Sequence, residues 1–575
     1  MPNFFSDNKD LMFHFEQLDL EKAVSLLEHN FEPDEKDPLR PESFEEAMEI
    51  YRSSLELCGD ISGNFIAPRS EAIDMEGARL ENGKVIYAEA TKEAQKCLSE
   101  AGFMGVIIPR KFGGLNFPAT IYVMMIEMVS QADASMMTMF GYQDVGEAIA
   151  HLAPEDVAMK FLPEYCEGKK VGAMVLTEPG GGSDLQAVRV KAHQDESGMW
   201  RLNGVKQFIS HGNGEVLLVL ARSEADTPGM FGLSLFAVHG HTENNVNVAR
   251  IEEKMGLHGS PTCELHFEDA EAHLVGDQKF GLFHVVDVLN HARFSVAAQG
   301  IGIAEAAYLA ALNHAKERKA FGKLIYDMPA VADMLMDMRV MIDSGRAMVY
   351  AGSQWLDIRN RLHEKIAHEK AHDIKPSKED RVALKEAQKM LDVLSPLVKY
   401  VATESANRVC YMAQQLHGGS GFIREYQVER CARDVRITTI YEGTTQVLAG
   451  MAVKHVSVDA LSKYFDKMAE MHVGDTIVPI MQKLKVLREV FFEAKASLKE
   501  KGDDFFKGAA AQTLTDMYAD LYAGYLLVEG AVKDEARIPV LKRFVVKSLS
   551  NARAGLSKIQ EDMFDDGEQR DAICR

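Results

Sequence analysis

The chain runs to 575 residues, a length that accommodates about three or four domains. Its apolar share of 46% is enough to bury sizeable cores. A formal net charge of −22 argues against a general binder of nucleic-acid backbone, while leaving room for a local basic pocket around a phosphorylated cofactor.

Residues 1–60 form an acidic N-terminal extension with helical periodicity in FEQLDLEKAVSLLEHNF. MPNFFSDNKD lacks the basic and apolar regions of a secretory signal. From 61 to 170 the spacing predicts a helical domain, entered through the turn cluster PRKFGGLNFP and centred on TIYVMMIEMVSQADASMMTMF. Leu115, Asn116, Phe117, Met124, Met125, Met128, Met136, Met137 and Met139 could form a wall against an irregular apolar ligand, or simply helix core. Residues 171–280 carry short apolar or alternating runs broken by turns, which predicts a middle antiparallel β domain. Helical periodicity returns over 281–455, with one long Ala-rich helix expected to run through ERKAFGKL, and continues over 456–575 as a C-terminal helical extension. Helices, then strands, then more helices in segregated runs indicate an α+β, mostly α, multi-domain chain. No apolar run approaches the roughly 20 residues of a membrane span. Seven scattered cysteines without a Cys-x-x-Cys pair fit a reducing, cytoplasmic setting, and the C-terminal DAICR carries no peroxisomal address.

Two motifs invite over-reading. His368-Glu369-Lys370-Ala371-His372 has the zincin spacing, yet it is highly charged and runs into Pro376, so it reads as a solvated helix face and no metal is expected. Gly300-Ile301-Gly302 lacks a third glycine and a preceding strand, so close helix packing explains it better than a dinucleotide turn.

Five other segments carry chemistry. In Leu176-Thr177-Glu178-Pro179-Gly180-Gly181-Gly182-Ser183-Asp184, glycines let backbone approach an anion and the hydroxyls add donors. Lys254-Met255-Gly256-Leu257-His258-Gly259-Ser260 is a glycine-bounded turn into a strand. Arg318 and Phe321, three apart in ERKAFGKL, would share a helix face, a guanidinium beside an aromatic plane. Gln415 opens QLHGGSGF. Glu442, in IYEGTTQ, is the only acidic residue from Ile437 to Met451, where partial desolvation would prepare a carboxylate as a base; the bland reading is a helix end capped by Thr444 or Thr445.

Together these segments, in this order and at this spacing over roughly residues 60–455, resemble the acyl-CoA dehydrogenase family. The resemblance implies a helical domain, a β domain and a four-helix-bundle domain that hold FAD, and the added C-terminal helices resemble the larger bacterial type. By that likeness Leu176, Thr177, Gly182, Ser183, Phe208 and Ser210 meet the flavin side of the cofactor. Arg318, Phe321, Gln415 and Gly419 reach the FAD of a neighbouring subunit, and Thr444 and Gln446 contact flavin beside the base, Glu442. Ser183, Arg293, Tyr441 and Gly443 fall on the acyl-CoA side. Departures from the family pattern stand at Met174, Phe208, His258, Asn290 and Pro329. The implied reaction is α,β-dehydrogenation of an acyl-CoA to the trans-2-enoyl-CoA, with an electron-transferring flavoprotein as acceptor and a homodimer or homotetramer as the assembly. An acyl-CoA oxidase and a non-catalytic acyl-CoA-binding protein are the rival readings. Medium to long, branched or bulky cyclic acyl groups are all compatible.

Overall fold

Residues 2–502, 508, 510–561, 563 and 568–574 are described in this computed structural model. The chain divides into two units, 1–306 with 423–437, and 307–422 with 438–575.

In the first unit the N-terminal extension folds as α1 (Lys9–Glu16), α2 (Glu21–Leu27) and α3 (Phe44–Asp60). Asn8 and Ser43 cap α1 and α3 by accepting from backbone N–H groups of their first turns. The extension is pinned to the PRKF turn by Arg110, which pairs with Glu28 and with Asp37 (2.9 Å). α4 (Ser70–Glu76) leads into a hairpin, β1 (Arg79–Glu81) and β2 (Lys84–Ile86), around Asn82-Gly83; both turn residues have positive φ, as a two-residue hairpin requires. Then follow α5 (Glu89–Glu100), α6 (Ala119–Ala132), α7 (Ala134–Phe140), α8 (Gln143–Leu152) and α9 (Glu155–Cys166). Every residue of α6 and α7, the methionine run included, is buried.

The β domain comprises β3 (Gly172–Val175), β4 (Lys191–Gln194), β5 (Trp200–Ser210), β6 (Val216–Arg222), β7 (Leu233–His239), β8 (Val246–Ile251) and β9 (Thr262–Val275). Its ladder closes on itself through β6, β4, β5, β9 and β7, since β7 also pairs with β6. Pairing is antiparallel as expected, except that β3 runs parallel to β6 and a single parallel bridge joins β4 to β6. β6 reads as a continuous apolar run because both faces are covered: Val216, Leu218 and Leu220 pack with α8 and α9, while Leu217, Val219 and Ala221 fill the other side.

α10 (Gly281–Glu317) begins in the first unit and continues into the second. It holds an 18-residue window of mean hydropathy 1.3, apolar enough for a membrane, but 78% of that window is buried in protein. A Cβ on Gly302 would lie 2.2 Å from the Glu127 carbonyl oxygen, so this glycine serves the tight packing of α10 on α6.

In the second unit, β10 (Lys319–Ala320) and β11 (Lys323–Leu324) precede a helical hairpin, α11 (Pro329–Ala371) and α12 (Lys378–His417). α13 (Gln427–Asp434) belongs to the first unit, α14 (Thr445–Val456) to the second. The HEKAH motif occupies the last turn of α11, with His368 and His372 exposed and their rings 4.2 Å apart. The extension contributes helices Ser462–Ala469, Val478–Lys501, Ala511–Lys533 and Ile538–Gln560. Ala511–Lys533 packs on α11, α12 and α14, and Arg543 and Lys547 pair with Asp333 and Asp337 on α11.

Candidate active site

The glycine turn after β3 is held by an ion pair that local sequence patterns do not reveal. Lys206, fully buried on β5, donates to the Leu176 carbonyl at 2.7 Å and lies 2.9 Å from the buried Glu178 carboxylate. Glu178 also accepts from the N–H groups of Arg189 (2.7 Å) and Val190 (2.9 Å), and its own backbone closes a bridge with Gly181. Burial pushes the Lys206 ammonium down to about 8, against the pull of Glu178. This brace leaves the turn's outer face open. Gly182 and Ser183 are exposed, a Cβ on Gly180 would meet nothing, and one on Gly182 only the Thr177 methyl at 3.7 Å. An open cradle of backbone N–H groups beside two hydroxyls fits a pyrophosphate-bearing cofactor.

β5 delivers the neighbouring group. Between Lys206 and Ile209 it carries one residue more than β9, a bulge that leaves Phe208 at φ +64° and 58% exposed on the surface. The Gln207 N–H donates to the Thr177 carbonyl at 3.0 Å, which ties the strand just before Phe208 to the glycine turn. The next residue, His211, is buried within reach of Tyr87, Thr138 and Ser260 hydroxyls at 2.9, 2.9 and 3.2 Å. Burial, with the nearby Lys254 charge, pushes it down to about 3, which keeps the imidazole neutral.

The KMGLHGS turn is tied at two points. The Leu257 N–H donates to Asp434 of α13 at 2.7 Å, and burial pushes that carboxyl up to about 6. His258 lies 2.9 Å from Asp74, which also takes a two-point contact from Arg433. Burial alone would raise Asp74, but the hydrogen bonds from His258 and Arg433 hold it well below the usual carboxylate range. The same bond raises His258.

Arg293 is buried on α10 and donates to Asn290 at 3.2 Å. Two residues before Arg293, His291 pairs with Glu147 of α8 at 2.8 Å. Asp144 joins that pair, with one potential ligand atom from each of the three within 4.8 Å of the others; no spacing in the sequence marks this cluster.

In the second unit the structure corrects one expectation. α10 ends at Glu317, so Arg318 and Phe321 do not share a helix face. They sit on a tight hairpin whose two central residues, Phe321 (φ +50°) and Gly322 (φ +79°), both have positive φ. Helical spacing misled because a two-residue turn brings residues three apart into proximity just as a helix does. Arg318 is exposed and Phe321 is 97% exposed. The rings of His314 and His417 stack 4.3 Å apart and join the end of α10 to the end of α12. The Arg318–Phe321 hairpin and the exposed Gln415 and Gly419 therefore occupy one end of this unit.

Tyr441, Glu442, Gly443 and Thr444 are all half-buried in the loop before α14. Glu442 has φ +55° and Gly443 φ +107°, and Thr444 caps α14 by accepting from the Val447 N–H at 3.4 Å. The cap assigned to Thr444 and the candidate base are thus adjacent features of one loop. Gln446 is exposed on the first turn of α14.

The sequence matches the acyl-CoA dehydrogenase N-terminal domain over residues 64–169, the middle domain over 173–270 and the C-terminal domain over 281–371 and 379–457. It is similar to the 3-methylmercaptopropionyl-CoA dehydrogenase of Ruegeria pomeroyi, 33% identical over 469 residues, which is 77% of this chain and 74% of that protein. Among solved structures, butyryl-CoA dehydrogenase from Megasphaera elsdenii matches with a TM-score of 0.60 and 28% identity over 71% of this chain and 98% of that one. An acyl-CoA dehydrogenase complexed with FAD from Bacillus anthracis matches in fold over 96% of this chain and 94% of that one, with a TM-score of 0.75 at 21% identity.

Proposed function

The chain belongs to the acyl-CoA dehydrogenase family of FAD-binding oxidoreductases, and on that footing we propose that it converts a saturated acyl-CoA to the trans-2-enoyl-CoA with Glu442 as the base. The carrying observation is the lone carboxylate of the 437–451 stretch, held half-buried on a left-handed backbone just before a capped helix. An α C–H beside a thioester carbonyl is weakly acidic in water, so the enzyme must stabilise the developing enolate. The Glu442 N–H donates to the thioester oxygen, a preorganised donor of the oxyanion-hole kind, while its carboxylate takes the α proton. FAD, when bound, supplies the acceptor for the hydride that leaves the β carbon. Thr177, Gly182 and Ser183 bind its phosphates and flavin edge, and Phe208 and Ser210 pack beside the ring. Arg318, through its guanidinium on phosphate, and Phe321 reach the FAD of a neighbouring subunit, and Gln415 and Gly419 its adenosine side, in a homodimer or homotetramer. Ser183, Arg293, Tyr441 and Gly443 serve acyl-CoA, and an electron-transferring flavoprotein takes the electrons onward.

Glu442→Gln should retain FAD yet lose flavin bleaching when butyryl- to palmitoyl-CoA are added anaerobically. Near-normal bleaching in that variant would refute the base. Rapid oxygen uptake by the wild type with substrate and no other acceptor would refute the dehydrogenase in favour of an oxidase.

A further inference from the structure

α12 carries two adjacent polar residues that leave the helix in different directions, as successive residues about 100° apart must. Lys399 is fully buried, and its Nζ donates to the Gly443 carbonyl at 2.7 Å. Tyr400, also buried, donates to Asp516 on the extension helix Ala511–Lys533. Further along α12, Glu404 accepts from the Thr445 hydroxyl, and Asn407 donates to the Thr438 hydroxyl at 3.3 Å. One helix therefore grips the loop at 438, 443 and 445, on both sides of Glu442.

That grip matters because the loop's backbone is unfavourable. Left-handed φ at a residue with a Cβ is disfavoured, and Glu442 adopts it immediately before Gly443 at φ +107°. Relaxing either torsion would swing the Glu442 carboxylate away from its present direction. A buried ammonium, for its part, is tolerated where its donors are engaged. Here one of them is engaged by the carbonyl next to the proposed base, a charge-assisted bond of the stronger kind.

We propose that Lys399 is a positioning residue for the base: it clamps the Gly443 carbonyl and so keeps the Glu442 carboxylate aimed at substrate, backed by the C-terminal extension through Tyr400 and Asp516. The inference rests on reading Glu442 as the base.

The test uses holoenzyme variants Lys399→Met, Lys399→Gln and Lys399→Arg. Anaerobic stopped-flow flavin reduction is followed with whichever of butyryl- to palmitoyl-CoA reduces the wild type fastest. A misplacement of about 1 Å can cost about 100-fold, so Lys399→Met should lower the limiting reduction rate by about that factor. FAD content and acyl-CoA affinity should stay within about threefold, and Lys399→Arg should recover about tenfold of the loss. A Lys399→Met rate within about threefold of wild type would overturn the proposal. So would a loss of rate matched by loss of flavin or of acyl-CoA affinity, or an arginine variant no better than methionine. If Lys399→Met does not fold, Lys399→Gln, which keeps a donor without charge, decides by the same criteria. Tyr400→Phe should lower the same rate several-fold; an unchanged rate would remove the extension from the device. Glu442→Gln runs in parallel. If it still reduces flavin, the base reading fails; if it is inert while Lys399→Met runs at full rate, only the positioning role fails.

Discussion

Replacing Lys206 with methionine isolates what the buried brace does for the glycine turn proposed to hold FAD. The wild-type ammonium is fully buried, 2.9 Å from Glu178 and 2.7 Å from the Leu176 carbonyl. Removing one partner of such a pair costs about 3–5 kcal/mol, mostly because the other charge is left buried. Glu178 keeps its two N–H donors from Arg189 and Val190, which places the loss toward the lower end, about 3 kcal/mol. In a unit of about 320 residues, that loss lowers the midpoint of thermal unfolding by about 4–5 °C. Differential scanning calorimetry of flavin-free protein reads the stability, and the ratio of flavin to protein absorbance after gel filtration reads the cradle. Both should fall in Lys206→Met. The double variant Glu178→Gln/Lys206→Met should recover much of the stability, since no orphaned charge remains. An unchanged midpoint with full flavin content would refute the brace; a double variant less stable than the single would show that the orphaned carboxylate is not the source of the cost.

Three further outcomes are expected. His258→Arg keeps its charge at every working pH, whereas His258, raised above its ordinary value by Asp74, contributes stability that is full below about 6.5 and fades as pH rises through its folded value. The midpoint gap between variant and wild type should therefore open from pH 6 to pH 9, and parallel curves would contradict it. Arg318→Ala removes an exposed guanidinium proposed to meet a cofactor phosphate; losing such a charge-assisted bond, about 1.5–3 kcal/mol, weakens FAD retention by about 10- to 150-fold, and equilibrium titration with FAD checks it. Gly302→Leu drives a side chain into the Glu127 carbonyl and should destabilise the α6–α10 contact by about 1–3 kcal/mol or more, a shift in unfolding midpoint that Glu317→Gln on the same helix should not share.

The legible parts of this chain were those that local periodicity or short-range chemistry encodes. The β domain showed as alternating runs, the Gly302 contact as a glycine inside a helical pattern, and the helix cap as one of two hydroxyls, Thr444 or Thr445, of which the structure uses Thr444. The end of α10 was misplaced because Glu317-Arg318-Lys319-Ala320 is made of good helix formers, and only Phe321-Gly322 turns the chain. Glu178 with Lys206 and Leu257 with Asp434 were beyond reach for a plainer reason: partners 28 and 177 residues apart leave no mark in a local window. The linkage of the extension to α12 is of the same kind, with 116 residues between Tyr400 and Asp516.

These unreadable ties coincide with the residues whose backbones are least comfortable. Phe208, Leu257, Phe321 and Glu442 all take positive φ despite bulky or long side chains, at about 1–3 kcal/mol each. Such conformations persist only where surroundings over-determine them. Lys206 and the Gln207 N–H fasten the strand before Phe208 to the glycine turn; Asp434 holds the Leu257 N–H; a two-residue hairpin dictates Phe321; Lys399 holds the Gly443 carbonyl after Glu442. All four lie in segments singled out for chemistry, yet strain alone does not assign a role, since His29 and Lys279 share it elsewhere. What separates the four is that each is fixed by a partner or a turn and also lies in a segment that carries the family resemblance. Local sequence marks the segments proposed to act, while the bonds that fasten Phe208, Leu257 and Glu442 reach to residues distant in the chain.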